Sequence, residues 1–340
     1  MTVIAVLVGL LLAALLGALA GTSPGETLWL LLSAGFGCSA QGPCGLLTTF
    51  QFTTPLVLSG LSAVIAIRSG VFSIGQAGQM LLGAAGASLL GSRLHLPPAL
   101  HICVALAAGT LFGAAWGWIP GILKAWLNVH EVIVTLVMNQ LAPFAIGGWA
   151  FGRVAASARL PVLAPNTKLS AGFPLALLAA VGLAVWLWRT GAGYEQRMQG
   201  DAPLFSLHGG VSRSKTIVRG MLLSGGAAGL AGAIEVLGVH YRMVSNFSGG
   251  AGYDALMVGM LGQLHPLGAL GAAFLMAGIR VGALNGLQIQ AQVPRELGGA
   301  MIAVMVIVVS SQWLAFAYPR LANRLVGFLP RFGRRLQTSK

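Results

Sequence analysis

The sequence predicts an all-α integral membrane protein with about ten transmembrane helices and a structured water-facing segment between the sixth and the seventh. Three observations lead there. The 340 residues are 56% hydrophobic and only 8% charged, with a mean hydropathy of +0.83, where ordinary soluble domains carry roughly 25% charged residues. Several apolar runs approach the ~20 residues that cross a bilayer. The 49 glycines follow no collagen-like period and suit membrane helices, which approach one another through small residues. The net charge of +13 sits in loops and in the C-terminal tail. It does not interleave with aromatic residues on a soluble face, so it reads as membrane orientation and not as nucleic-acid binding.

Residues 1–21 are apolar throughout. They lack a positive n-region, and their apolar core is longer than that of a signal peptide, so they read as a retained first transmembrane helix. Residues 22–50, with Pro24, Glu26 and Gly42-Pro43, read as an extracytoplasmic loop. Cys38 and Cys44 share that loop, where a disulfide is permitted and two unpaired thiols are the alternative; with Cys103 they make three cysteines without metal-ligand spacing.

The core spans 51–317. Its second span covers 51–67 and stops at Arg68; the third covers 74–91 and stops at Arg93. Pro97-Pro98 opens the fourth, 98–118, and Pro120, Gly121 and Lys124 suggest a short turn. The fifth covers 130–152, and a loop with Arg153, Arg159, Pro161, Pro165 and Lys168 leads to the sixth, 173–188, ending at Arg189. The seventh to tenth are expected over 217–238, 252–264, 267–285 and 298–317, before a basic tail over 318–340.

Ten spans put both termini on one side. Arg68, Lys124, Arg189, Arg197, Arg213, Lys215, Arg219 and the tail gather there, against Arg93, Arg153, Arg159, Lys168, Arg242 and Arg295 opposite. The excess places both termini, and the segment 194–216, in the cytoplasm. That segment mixes charges of both signs with a proline and paired glycines, and the run after it is built on small residues. A structured water-facing segment between spans is a docking site for something soluble.

Polar side chains inside a bilayer are costly, so each needs a reason. Gln76 and Gln79, three apart, share one helix face, and Gly75 and Gly78 leave room beside them. They line a pathway or form a packing seam. Thr135 and Asn139, four apart, face one way at mid-membrane depth, with the same two alternatives. Glu131 and Asp254 suit the first turns of helices, where the macrodipole favours a carboxylate, and His130 suits an interfacial cap. Glu235, Tyr253, Asn246, Ser248, Asn285 and Gln288 form no nucleophile–base pair, metal cluster or phosphate loop with these. No G-x-x-x-x-G-K-[ST] motif occurs, so the chain does not bind ATP in that mode and is not read as an enzyme.

Three stretches carry a family resemblance. Ser59-Gly60-Leu61 through F-S-I-G-Q-A-G-Q, L-K-A-W-L-N-V-H-E-V-I-V-T-L-V-M-N, and S-G-G-A-A-G-L-A-G-A-I-E-V-L-G with the later G-M-L-G-Q-L-H-P-L-G occur in an order and spacing similar to permease subunits of bacterial ABC importers. The class serves branched-chain amino acids, simple sugars and nucleosides, and the chain most resembles its nucleoside/simple-sugar branch, over about Pro55 to Ser310.

The resemblance implies a multi-pass protein of the bacterial cytoplasmic (inner) membrane that moves a small polar solute inward. It also implies partners: an ABC ATPase subunit that carries the ATP and Mg, a second permease, identical or related, and an extracytoplasmic substrate-binding protein. This chain itself would hold no cofactor. The family's cytoplasmic coupling helix, G-x-N-P-x-A-A-x-x-A-G-I, matches here at Gly200, Ala202, Pro203, Phe205, Ser206, Gly210 and Val211; the family's Asn is Ala202, with Asp201 before it, and its Ala-Ala pair is Phe205-Ser206.

As a short helix this segment would take Asp201 as N-cap and Pro203 in its first turn. Its apolar face would be Leu204, Phe205 and Leu207, and Gly209-Gly210 would end it. Gln76 departs from the family's small-then-acidic pattern; the neutral pair Gln76 and Gln79, with Thr135 and Asn139, suits an uncharged hydroxylated or heterocyclic solute. The other reading is a stand-alone secondary transporter or channel for a neutral polar solute. Secondary transporters of charged solutes often place acids and bases at the midplane, whereas the groups here are amides and hydroxyls, and the docking segment favours the ATP-driven importer.

Overall fold

The computed structural model describes residues 15, 23–38, 44–148, 152–164, 167–244 and 250–290, and these form an all-helical bundle. In chain order the helices are α1 (Pro24–Phe36), α2 (Gly45–Arg68), α3 (Gln76–Arg93), α4 (Pro98–Leu127), α5 (Glu131–Ile146), α6 (Gly172–Arg189), α7 (Gly191–Asp201), α8 (Pro203–His208), α9 (Arg213–Glu235), α10 (Ala251–Leu261) and α11 (Pro266–Val281). A π-helical turn, Val236–His240, continues α9, and another, Gly282–Gln290, continues α11.

Among the described residues five helices are long and apolar enough to cross a membrane: α2, α4, α6, and α9 and α11 with their π-helical extensions. The expected first and tenth spans, the basic tail, Asn246, Ser248 and Arg295 lie outside the described residues. The expected third, fifth and eighth spans are α3, α5 and α10. The first is rich in Gly and Ala; the other two have only 16 and 11 residues.

Two sequence expectations differ from the fold. Residues 22–50 are not simply a loop. Ser23 accepts a hydrogen bond from the Glu26 N–H (3.2 Å) and Pro24 stands at the first turn, where its missing N–H costs nothing, so the apolar run behind them forms α1. A disulfide between Cys38 and Cys44 joins the end of α1 to the start of α2. The turn expected at Pro120 is also absent, because α4 runs on to Leu127 over 30 residues. Proline inside a helix loses one backbone bond. Here Pro120 is buried, and Gly117 and Gly121 bring the helix against Met221 of α9, so packing holds the helix together through the break.

The core is built on α2 and α9. Of the apolar stretch in each, 78% of α2 and 72% of α9 is buried, against 28% of α4 and 22% of α6, so α2 and α9 are central and α4 and α6 turn a face outward. The centre is held by close backbone approach. A Cβ on Gly83 of α3, or on Gly113 of α4, would overlap the backbone of α9 at Gly225 and Gly229, so only glycine permits this contact. Hydroxyls in the core are satisfied internally. Ser62 and Ser224 share a hydrogen bond of 2.9 Å between α2 and α9, and Ser59 donates to the Pro55 carbonyl at 2.7 Å.

Candidate functional site

Two places bring the singled-out residues together. The first is a polar wedge where the chain unwinds between α2 and α3. Residues 71–74 are non-helical, so their backbone groups need partners from elsewhere. Helix α5 supplies them. Asn139 donates through Nδ2 to the Ile74 carbonyl (2.7 Å) and accepts at Oδ1 from the Gly78 N–H (2.8 Å). Thr135 Oγ1 accepts from the Ile74 N–H (3.3 Å) while donating to the Glu131 carbonyl (2.8 Å). The spacing of four that put Thr135 and Asn139 on one face thus serves to clasp the unwound segment.

Gln76, Gln79, Thr135 and Asn139 are all buried. Gln76 Nε2 donates to the Ser73 carbonyl (3.1 Å), but Oε1 of both Gln76 and Gln79 is buried with no partner among the described residues. A third unsatisfied group belongs to α4, the indole Nε1 of Trp116. It lies beside Gly78: a Cβ there would sit 3.0 Å from Trp116 Nε1 and 2.9 Å from Asn139 Oδ1. A Cβ on Gly117 would sit 3.1 Å from Gln79 Nε2, so Gln79 also borders α4. The wedge therefore offers two unpaired acceptors and one unpaired donor, all uncharged. Sequence reading missed Trp116; its signal is an aromatic with a polar handle set three and one residues from Gly113 and Gly117 in a close-packed seam. It also missed that Lys124 pairs with Glu131 at 2.8 Å, tying the end of α4 to the start of α5.

The second place is the segment from α7 to α8. Thr190 caps α7 by accepting from the Gly193 N–H (3.1 Å). The helix is then fastened to the core. Gln196 donates to Ser69 Oγ and to the Ile65 carbonyl (3.4 Å), and Arg219 of α9 reaches Glu195 at 3.0 Å.

Asp201 is not the N-cap of α8 that the sequence suggested. It is the last residue of α7, and Ala202 stands at the cap without a side-chain bond. The reason is Arg68, at the end of α2, which holds both Asp201 carboxylate oxygens at 3.0 and 2.9 Å. The same guanidinium donates from Nε to the Leu264 carbonyl (3.2 Å) and lies 6.0 Å from the Trp188 ring centroid.

Pro203 opens α8, a helix of 6 residues. Its one buried side chain, Ser206, donates to Gln199 Oε1 at 2.9 Å, which anchors α8 to α7. Leu204, Phe205 and Leu207 are 77%, 64% and 61% exposed. The turn closes at Gly209, followed by Gly210 with φ 79°, which only glycine adopts readily. So a short helix is fixed from behind and presents three bare apolar side chains.

Among the described residues no group of three His, Cys, Asp or Glu is placed to hold a metal. A helical bundle with a polar wedge and a short, firmly mounted helix with a bare apolar face is consistent with a transport subunit, and the sequence comparisons specify the kind. The family model described as branched-chain amino acid transport system, permease component, matches residues 45–310, and the chain belongs to that family. It is a transport subunit of an ABC importer and not itself an enzyme.

The chain is 37% identical over 282 residues to the guanosine ABC transporter permease protein NupP of Bacillus subtilis, covering 78% of this chain and 80% of that one. It is 31% identical over 258 residues to the nucleoside ABC transporter permease protein NupB of Lactococcus lactis, covering 69% and 71%. A glucose ABC transporter permease protein of Haloferax volcanii is 29% identical over 242 residues, 64% of each chain. A second guanosine permease protein of Bacillus subtilis, NupQ, is less similar, 26% identical over 246 residues, covering 66% and 77%. No solved structure matches the chain.

Proposed function

We propose that this permease subunit carries a nucleoside across the bacterial cytoplasmic membrane, with α8 as the element through which a separate ABC ATPase drives it. The observation that carries this reading is the pairing of a rigid mount with a bare apolar tip. Exposed Leu204, Phe205 and Leu207 on a helix too short to be stable alone need a partner surface. The ATP and Mg sit on that partner. A substrate-binding protein delivers the solute from outside, and both termini and α8 lie in the cytoplasm, in keeping with the charge balance between the two sides.

Gln76, Gln79, Thr135 and Asn139 form the solute's path. The free acceptors of Gln76 and Gln79, with the free donor of Trp116, match the mixed donor and acceptor edges of a heterocyclic base, and the absence of charge there allows release. The nucleoside assignment follows the relatives NupP and NupB; a simple sugar, as for the Haloferax relative, is the second reading, since hydroxyls engage the same amides.

The test is Phe205→Asp. A carboxylate in the docking groove would be an unpaired buried charge, costing several kcal/mol, about 3–5. Recovery of the ATPase in a pull-down is expected to fall below a tenth, and uptake of labelled guanosine to stop, with normal amounts of permease in the membrane. Undiminished ATPase recovery with unchanged uptake places the docking site elsewhere. Uptake of labelled glucose but not guanosine by the unaltered protein selects the sugar.

A further inference from the structure

We infer that the outward face of α5 is the contact surface for a second, related permease subunit, centred on Gln140. The inference rests on the importer reading and goes beyond it by assigning the surface. Helix α5 buries one side, Thr135, Met138, Asn139, Ala142 and Ile146, against the bundle. Its other side is bare. Ile133, Leu136, Val137, Leu141 and Phe144 are 61%, 42%, 51%, 48% and 83% exposed. In the middle of that apolar stripe stands Gln140, exposed and without a hydrogen-bond partner among the described residues.

Depth gives this amide its meaning. The link between α4 and α5, residues 128–130, is non-helical and exposed, which belongs at the membrane boundary, and the Lys124–Glu131 ion pair lies beside it. Gln140 is nine residues further along α5, about 14 Å at 1.5 Å per residue, which is close to the middle of a hydrocarbon core of about 30 Å. An amide facing lipid there leaves two N–H groups and a carbonyl unsatisfied, which hydrocarbon does not tolerate. Helix α6 provides the contrast. Its exposed stripe, Leu177, Leu178, Val181 and Val185, carries no polar side chain before Trp188 near the end of the helix, as a surface against lipid tails requires. The α5 stripe therefore meets protein, and that protein brings a polar side chain to the same depth.

The relatives say which protein. Bacillus subtilis has two guanosine permease proteins, and this chain is 37% identical to one and 26% identical to the other. It sorts with one type of a pair, so its counterpart is a permease of the other type and not a second copy of itself. A large apolar residue beside a central polar one on a helix face suits such a pairing, since interhelical amide bonds fix the register of helices in lipid.

The test uses the full chain, tagged, in membranes of the organism that encodes it. Phe144→p-benzoylphenylalanine places a photoreactive group on the stripe, and Leu178→p-benzoylphenylalanine places one on α6. After irradiation and purification, the first is expected to be joined to a second permease of this family, identified by its peptides, and the second to lipid alone. Lipid adducts alone at position 144, or adducts to another copy of this chain, overturn the assignment. Gln140→Leu is expected to lower recovery of the second permease about tenfold, with Gln140→Asn restoring most of it; equal recovery with leucine overturns the role of the amide. ATPase recovery from the same samples separates two failures. ATPase present with lipid-only adducts means the face is wrong while the importer reading stands. ATPase and uptake both absent from the unaltered protein mean the importer reading itself has fallen.

Discussion

Asn139 and Gln79 look alike in the sequence, as amides buried in the membrane, yet their surroundings set opposite consequences. Asn139 holds the Ile74 carbonyl and the Gly78 N–H. Asn139→Leu orphans both, at about 1–3 kcal/mol each, so thermal denaturation of the purified protein in detergent is expected at a lower temperature. Gln79 has an unpaired Oε1 whose desolvation is uncompensated. Gln79→Leu is expected to leave the denaturation temperature unchanged or higher, while uptake falls, since the proposed path would lose an acceptor. A stability loss with Gln79→Leu equal to that of Asn139→Leu would make both residues packing groups. The difference between them was not legible in the sequence. Spacing puts Gln76 with Gln79 and Thr135 with Asn139, but only the fold reveals that residues 71–74 are unwound and consume the second pair. Asp201 was misread for a similar reason. A cap is a local inference, and Arg68, 133 residues away in the chain, outcompetes it.

At the scale of elements, most helices were legible, because long apolar runs bounded by Arg68, Arg93 and Arg189 end where charge must reach water. Two kinds of signal failed. Pro120 was read as a break because proline is one in water, whereas α4 is held across it by Gly117 and Gly121 against α9. α1 reads as loop in the sequence because Pro24, Glu26 and Gly42-Pro43 together suggest one, whereas a proline in the first turn also opens a helix. The glycine seam itself was visible as composition, but which helices it joins was not. Gly113→Leu tests it. The side chain would enter the space held by the backbone of Gly225 and Gly229, and overpacking of this kind costs about 1–3 kcal/mol or more. Folded permease recovered from membranes, measured by size-exclusion chromatography in detergent, is expected to fall severely. Gly182→Leu, on the open side of α6, is expected to have little effect, since no neighbouring atom stands within 4 Å of that position.

For the whole molecule, Arg68 is the junction. It ends α2, holds Asp201 at the close of α7, bonds the Leu264 carbonyl before α11 and lies against Trp188 of α6. The Asp201 side chain is 61% exposed, so the pair contributes little to stability, and its importance lies in what it connects. Arg68→Ala is expected to leave membrane insertion and ATPase recovery close to normal while lowering uptake about tenfold, a coupling loss within the usual range. Unchanged uptake would mean that the Arg68–Asp201 pair carries none of the proposed coupling between α8 and the core.

Glycine faces have no teeth. Where α4 and α3 meet α9 at Gly83, Gly113, Gly225 and Gly229, backbone lies on backbone; larger side chains enter the seam toward its ends, Met221 at Gly121 and Leu237 at Gly91. Separating such surfaces forfeits many atom contacts at once, whereas a small slide over the glycine stretch between them displaces few side chains. α9 with its π-helical extension has 28 residues and would reach about 42 Å at the α-helical rise. It is gripped at one end by Glu195 through Arg219 and carries the Glu235–His240 pair near the other. It is thus a shaft with a smooth middle: under the proposed coupling, a push on α8 would travel along it to the opposite face without the bundle first coming apart.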